Sequence, residues 1–212
     1  MEKKTDTIHA LLTISVFLIF TVLLFWDLGF THLANWDESW NADISRNFAA
    51  TGNLITPIWN SKPFFDKPPL YFWFSALIFK LIGESELSAR LPSATFGLGV
   101  LLITYFLGRL LFNKDVAIMS MIVFFSTIGF LYRSRTGNLD VLLTFWLLLT
   151  IFAFFKGFRE EKQGWFIIMG ISTALGFLTK GAIAFLFPAF ALFYIIFLKK
   201  ENKHDLKGLL GA

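Results

Sequence analysis

Cysteine is absent from the 212 residues, so no disulfide framework, thiolate metal site or thiol nucleophile is available to this chain. Charge is scarce as well: charged residues fill 16% of positions against 56% for hydrophobic ones, and mean hydropathy is +0.64. No water-facing globular surface sustains that balance, and lipid is the expected solvent for most of the chain. No soluble domain, internal repeat or low-complexity stretch stands out. The net charge of +4 suits basic loops on the cytoplasmic side of a membrane, and no nucleic-acid partner is expected.

Aromatic residues are plentiful, with 28 Phe and 7 Trp, and Trp favours the bilayer interface. Apolar runs near 8–28, 91–112, 116–132, 139–156, 164–180 and 182–198 each approach the length that crosses about 30 Å of hydrocarbon. The first follows Lys3 and Lys4 but lacks a small-residue cleavage site, so it reads as a retained anchor rather than a signal peptide. The fold class expected is all-α: a polytopic transmembrane bundle with an amphipathic loop at about 31–90 on its outer face. Within that loop Leu70–Ile82 is apolar but short, which suits an interfacial or re-entrant helix.

Charge asymmetry orients the bundle. If Leu70–Ile82 does not cross, then Lys3/Lys4, Arg109/Lys114, Lys156/Arg159/Lys162 and Lys199/Lys200/Lys203/Lys207 share the cytoplasmic side. The 31–90 loop, the Arg133–Asp140 turn and the Thr179–Gly181 turn then meet on the outer face.

Those three segments carry charges that loop electrostatics does not require. Asp37-Glu38 follows Trp36 beyond the first span; Asp37 suits the N-cap of a helix from about Glu38 to Ala50, and the same place suits a general base. Pro68 and Pro69 forbid a helix through Lys67, presenting its ammonium at the start of the next segment. It can meet a phosphate oxygen or snorkel to lipid headgroups. Asp140, close to hydrocarbon, needs a cavity, a cation or a partner such as Arg133 or Arg135, and Lys180 poses the same choice. Trp36, Trp40, Trp59 and Trp73 can stack on sugar or anchor the loop at the interface.

In order, Asp37-Glu38, Gly52-Asn53 with Pro57, Asp66-Lys67-Pro68-Pro69-Leu70-Tyr71-Phe72-Trp73, Ser88-Ala89-Arg90-Leu91-Pro92-Ser93, Asp140 and Leu178-Thr179-Lys180-Gly181 resemble a known pattern. It is that of the bacterial relatives of dolichyl-phosphate-mannose protein mannosyltransferases, the group that includes the lipid A aminoarabinose transferase. The chain departs from the pattern at Trp40, Asn41 and Asn53, which bears on the acceptor. Family members are much longer, so this chain reads as the N-terminal part of a glycosyltransferase membrane domain, inactive alone if truncated.

The resemblance implies a C-type glycosyltransferase in the inner or plasma membrane. Its N-terminus would be cytoplasmic and its active site extracytoplasmic, with the Asp37 loop folded over it. The donor would be a sugar on a polyprenyl phosphate, and a lipid, glycan or protein hydroxyl would attack with inversion. Asp37 is then the base; Lys67, with Lys180, Arg90 and Arg135, meets the leaving phosphate; Glu38, Asp66 and Asp140 are supporting acids. A divalent cation held by Asp140 and Glu38 or Asp66 is the one cofactor to consider. The competing reading is a transporter or flippase that binds the same lipid phosphate without chemistry.

Overall fold

The computed structural model of the chain describes residues 2–34 and 36–193. Among these every regular element is helical apart from one small hairpin. In lipid each backbone N–H and C=O must be satisfied within its own segment, so the apolar runs become helices. In chain order they are α1 (Glu2–Phe25), α2 (Asp37–Thr51), the hairpin strands β1 (Ile58–Trp59) and β2 (Lys62–Pro63), α3 (Leu70–Ile82), α4 (Glu86–Leu111), α5 (Lys114–Ser126), α6 (Ile128–Ser134), α7 (Asp140–Glu160), α8 (Gln163–Lys180), a 3-10 turn (Gly181–Phe185) and α9 (Leu186–Phe193).

Four described stretches are long and apolar enough to cross a membrane: Thr7–Phe25, Glu86–Leu111, Asp140–Glu160 and Gln163–Ala191. The run expected as one straight span at 116–132 is instead broken: α5 and α6 meet at Thr127 with a 72° bend, and together they count as a fifth span only if read as one. Thr127 adopts extended backbone there, and its N–H reaches back only to the Phe124 carbonyl. The two spans expected at 164–180 and 182–198 correspond, among the described residues, to the single stretch Gln163–Ala191, interrupted at Gly181, whose φ of 76° ends α8. The 3-10 turn then folds back, so that a Cβ on Gly176 would lie 3.1 Å from that of Ala184. The far end of 182–198 and the Lys199–Lys207 cluster lie outside the described residues, as do the side chains of Lys3 and Lys4.

Helix α3 has 13 residues, about 20 Å of rise, short of the hydrocarbon thickness. It packs on α2 and α7 through a cluster of Ile44, Phe48, Leu70, Tyr71, Phe72, Ala76, Leu142 and Trp146. A second cluster joins α1 (Phe20, Leu24), α4 (Val100, Leu101), α5 (Met121, Phe125), α6 (Phe130) and α7 (Val141).

Capping fixes where α4 and α5 begin. Ser85 and Ser88 form a reciprocal capping box at the start of α4, and the Asn113 side chain accepts the Val116 N–H at the start of α5. Asp37 is not the cap expected for α2; Trp36 holds that position, and Asp37 is the first helical residue.

The ends of the bundle differ in charge. One gathers Arg109, Lys114, Lys156, Arg159 and Lys162, and there His9 meets Asp115 at 3.0 Å while Arg159 donates to the Leu110 carbonyl at 2.5 Å. The other gathers α2, the hairpin, α3, the 135–140 turn and the end of α8.

Candidate functional site

Glu38 and Arg90 are each 4% exposed and form the framework of that second end. Arg90 Nε donates to Glu38 Oε1 at 2.7 Å and Nη2 to Oε2 at 3.1 Å. Its remaining N–H groups reach the Leu28 and Thr31 carbonyls at 2.9 Å each and that of His32 at 3.0 Å. Glu38 in turn accepts the N–H of Ala34 at 2.6 Å and of Gly137 at 2.8 Å. Burial by itself would raise the Glu38 carboxyl, but the Arg90 guanidinium and these two backbone donors hold it below its ordinary value. One ion pair thus ties the loop after α1, the start of α2, α4 and the turn before α7 together.

The 135–140 turn is fixed again from its other side. Asn41 Nδ2 donates to the Gly137 carbonyl at 2.9 Å. Ser93 Oγ donates to the Asn138 carbonyl at 3.0 Å and accepts the Asn138 N–H at 3.1 Å. Asn138 Oδ1 accepts the Asp140 N–H at 2.9 Å, a side-chain turn that aims the first residue of α7. Gly137 leaves room for this crossing, since a Cβ there would lie 3.1 Å from the Ala89 carbonyl oxygen.

The hairpin presents the third wall. Asn60 and Ser61 both have positive φ, 49° and 62°, the conformation of a two-residue hairpin turn. Phe64 N–H closes on the Pro57 carbonyl at 2.8 Å, which delivers Phe64, Asp66 and Lys67 ahead of Pro68.

These walls enclose an open cleft of about 280 Å³, lined by Trp36, Asp37, Trp40, Asn41, Phe64, Asp66, Lys67, Asn138, Leu139, Asp140 and Lys180. Five of the residues singled out in the sequence, Asp37, Asp66, Lys67, Asp140 and Lys180, therefore share one cavity, although 143 positions separate the first from the last. Asp140 is held from both sides: Oδ1 pairs with Lys180 Nζ, and Oδ2 lies 3.4 Å from Arg133 Nη1. Arg133 Nη1 also stands 4.0 Å from Asp37 Oδ2. Among the described residues Lys67 has no hydrogen bond or ion pair.

Three candidates fall outside the cleft. Arg90 and Glu38 form the clamp described above. Arg135 closes the end of α1 instead, donating to the carbonyls of Leu23 at 2.5 Å, Leu24 at 3.1 Å and Trp26 at 2.7 Å. It is Arg133 and Lys180, not Arg135, that pair with Asp140. Of the four tryptophans, Trp36 and Trp40 line the cleft, Trp59 lies against Trp40 at 4.7 Å, and Trp73 donates to the Leu54 carbonyl at 2.7 Å away from it. Sequence reasoning did not single out Asn138, Ser93 or Asn41 as positioning residues. The only signal was polar side chains at places that must be buried, which pairs them with something without saying what.

A divalent cation does not fit this donor set. Both Glu38 oxygens are taken by Arg90, Ala34 and Gly137, and each Asp140 oxygen faces a cation. Among the described residues no group of three or more His, Asp or Glu is placed to hold a metal ion.

Comparison with known proteins places this architecture. Residues 66–212 match the family described as dolichyl-phosphate-mannose-protein mannosyltransferase. An undecaprenyl phosphate-alpha-4-amino-4-deoxy-L-arabinose arabinosyl transferase of Wigglesworthia glossinidia brevipalpis is 29% identical over 95% of the chain and 36% of its own length. The putative mannosyltransferase YkcB of Bacillus subtilis is 36% identical over 69% of the chain and 21% of its own. The crystal structure of ArnT from Cupriavidus metallidurans bound to undecaprenyl phosphate shares the fold, with a TM-score of 0.81 and 24% identity, over 95% of this chain and 37% of that one. The chain thus spans between about a fifth and little more than a third of the length of these relatives. With most of its length matched by the family pattern, the chain belongs to the dolichyl-phosphate-mannose-protein mannosyltransferase family.

Proposed function

We propose that the cleft is the donor end of an active site that transfers a sugar from a polyprenyl phosphate to an acceptor hydroxyl. The observation that carries this reading is the ammonium of Lys67, unpartnered among the described residues, in the same cleft as the Asp37 carboxylate. The relative named for an undecaprenyl-phosphate sugar supports it.

In this mechanism the acceptor oxygen attacks the anomeric carbon from the face opposite the phosphate, and its proton passes to an Asp37 carboxylate oxygen. As the new C–O bond forms, the bond from the anomeric carbon to the phosphate oxygen breaks, and its electron pair leaves with the lipid phosphate. That group gains charge in the transition state, and Lys67 meets it there more strongly than in the bound donor. Lys180, steered by Asp140, is the second cation available to it. The anomeric configuration inverts.

The basic end, with Arg109, Lys114, Lys156, Arg159 and Lys162, faces the cytoplasm by the positive-inside tendency, which puts the cleft on the outer face of the inner or plasma membrane. The test uses the intact protein in membranes with a labelled polyprenyl-phosphate sugar, following release of the free polyprenyl phosphate. Lys67→Ala should weaken donor binding and lower turnover by about 10²-fold. A transporter of the same lipid would release no polyprenyl phosphate even as the wild type.

A further inference from the structure

Trp36 adopts φ 79° and ψ −117°, backbone that L side chains rarely adopt, and yet its indole is 70% exposed. Strain is usually tolerated where packing over-determines it or where function needs it, and burial does not explain it here. The ring is instead set against Trp40, with centroids 5.0 Å apart and planes 27° apart; Trp40 in turn leans on Trp59 at 4.7 Å and Phe64 at 6.2 Å. Trp36, Trp40 and Phe64 all line the cleft, beside Asp37 and Asp66. The result is an aromatic shelf with a carboxylate rim.

We infer that this shelf binds a pyranose ring of the acceptor, so that the attacking hydroxyl belongs to a carbohydrate. This rests on the glycosyltransferase reading above for the word acceptor, but not for the binding itself. A pyranose carries weakly positive C–H bonds on its face and hydroxyls around its edge. The negative π face of an indole suits the first, and carboxylates, which only accept hydrogen bonds, suit the second. An acyl chain would gain nothing from the rim, because its approach would desolvate carboxylates without giving them a donor. A residue serving only as an interface anchor needs neither the rim nor the strained backbone.

Position relative to the base selects acceptor over donor. Asp37 and Trp40 are three residues apart on α2 and share a face. A sugar lying on Trp40 therefore extends from the carboxylate that takes the acceptor proton.

The experiment reads binding without any donor. The intact protein, in nanodiscs free of sugar detergents, is titrated with methyl β-D-glucopyranoside and methyl N-acetyl-β-D-glucosaminide, with acyclic sorbitol as control, by saturation-transfer NMR. Both pyranosides should bind, with the strongest saturation on the C–H protons of one ring face, and sorbitol should not. Trp40→Leu and Trp36→Leu should each weaken binding by about three- to tenfold. Trp73→Leu, on a tryptophan outside the cleft, should leave it unchanged, and Trp40→Phe, which keeps an aromatic against Trp59, should retain part of it. Equal loss in Trp40→Leu and Trp73→Leu, or no pyranoside binding by the wild type, would overturn the assignment. Pyranoside binding without any sugar transfer would keep the shelf and remove the glycosyltransferase reading, whereas transfer to a Ser/Thr peptide without pyranoside binding would do the reverse.

Discussion

Glu38 and Arg90 show how a charged residue in an apolar helix is accommodated. An arginine one turn into α4 must find counter-charge and acceptors or leave donors unsatisfied in a water-poor environment, and Arg90 finds both in Glu38 and the carbonyls after α1. Glu38→Gln should therefore destabilise the protein by about 3–5 kcal/mol at neutral pH, because it leaves a buried guanidinium without its charge partner. The pH dependence has a definite sign. The folded carboxyl lies below its ordinary value of 4.5, so the ionised form favours the folded state. That contribution is complete above the ordinary value and is lost as pH falls through the folded one. Thermal midpoints of wild type and Glu38→Gln should differ widely at pH 7 and converge as pH falls below the ordinary value and through the folded one. A constant gap across that range would remove Glu38 ionisation as the cause.

At the scale of elements, the turn before α7 is where the site is assembled, and its tolerance of change is the measure of that. Gly137→Ala pushes a methyl to 3.1 Å from the Ala89 carbonyl and 3.4 Å from the Glu38 Cγ, and should cost about 1–3 kcal/mol. Gly170→Ala, in open space on α8, should be neutral or slightly stabilising. Comparing the two thermal midpoints checks this. Hydrophobic run length was enough to read α1, α4, α7 and α8 from the sequence, and the shortness of the 70–82 run foretold that α3 is too brief to span. The 72° break at Thr127 was not read from the sequence, since its marks are Ser126, Thr127 and Gly129, and small residues of these kinds are common inside membrane helices. The cleft was legible in its charged residues, because Asp140 and Lys180 stand where lipid makes charge expensive and Asp37 and Lys67 stand in the motifs that carry the family resemblance. Partner choice was not. Glu38 with Arg90, and Asn138 with Ser93, are contacts across 52 and 45 positions, and these are fixed by helix packing, which no local spacing encodes.

For the whole molecule, the separation of charge between the two ends determines which face meets which compartment. The absence of native cysteine makes the orientation directly accessible. An impermeant thiol reagent applied to intact cells should label Ser61→Cys, in the hairpin, and spare Lys162→Cys, at the basic end. Labelling of Lys162→Cys alone would invert the assignment. The central claim, that the cleft at the hairpin end performs sugar transfer with Asp37 as the base, is tested most directly by Asp37→Asn in the intact protein. That change keeps the shape of the side chain but removes proton acceptance. Turnover of the labelled donor should fall by about 10²-fold or more, while donor affinity stays near the wild-type value. Transfer by Asp37→Asn at the wild-type rate would contradict the account.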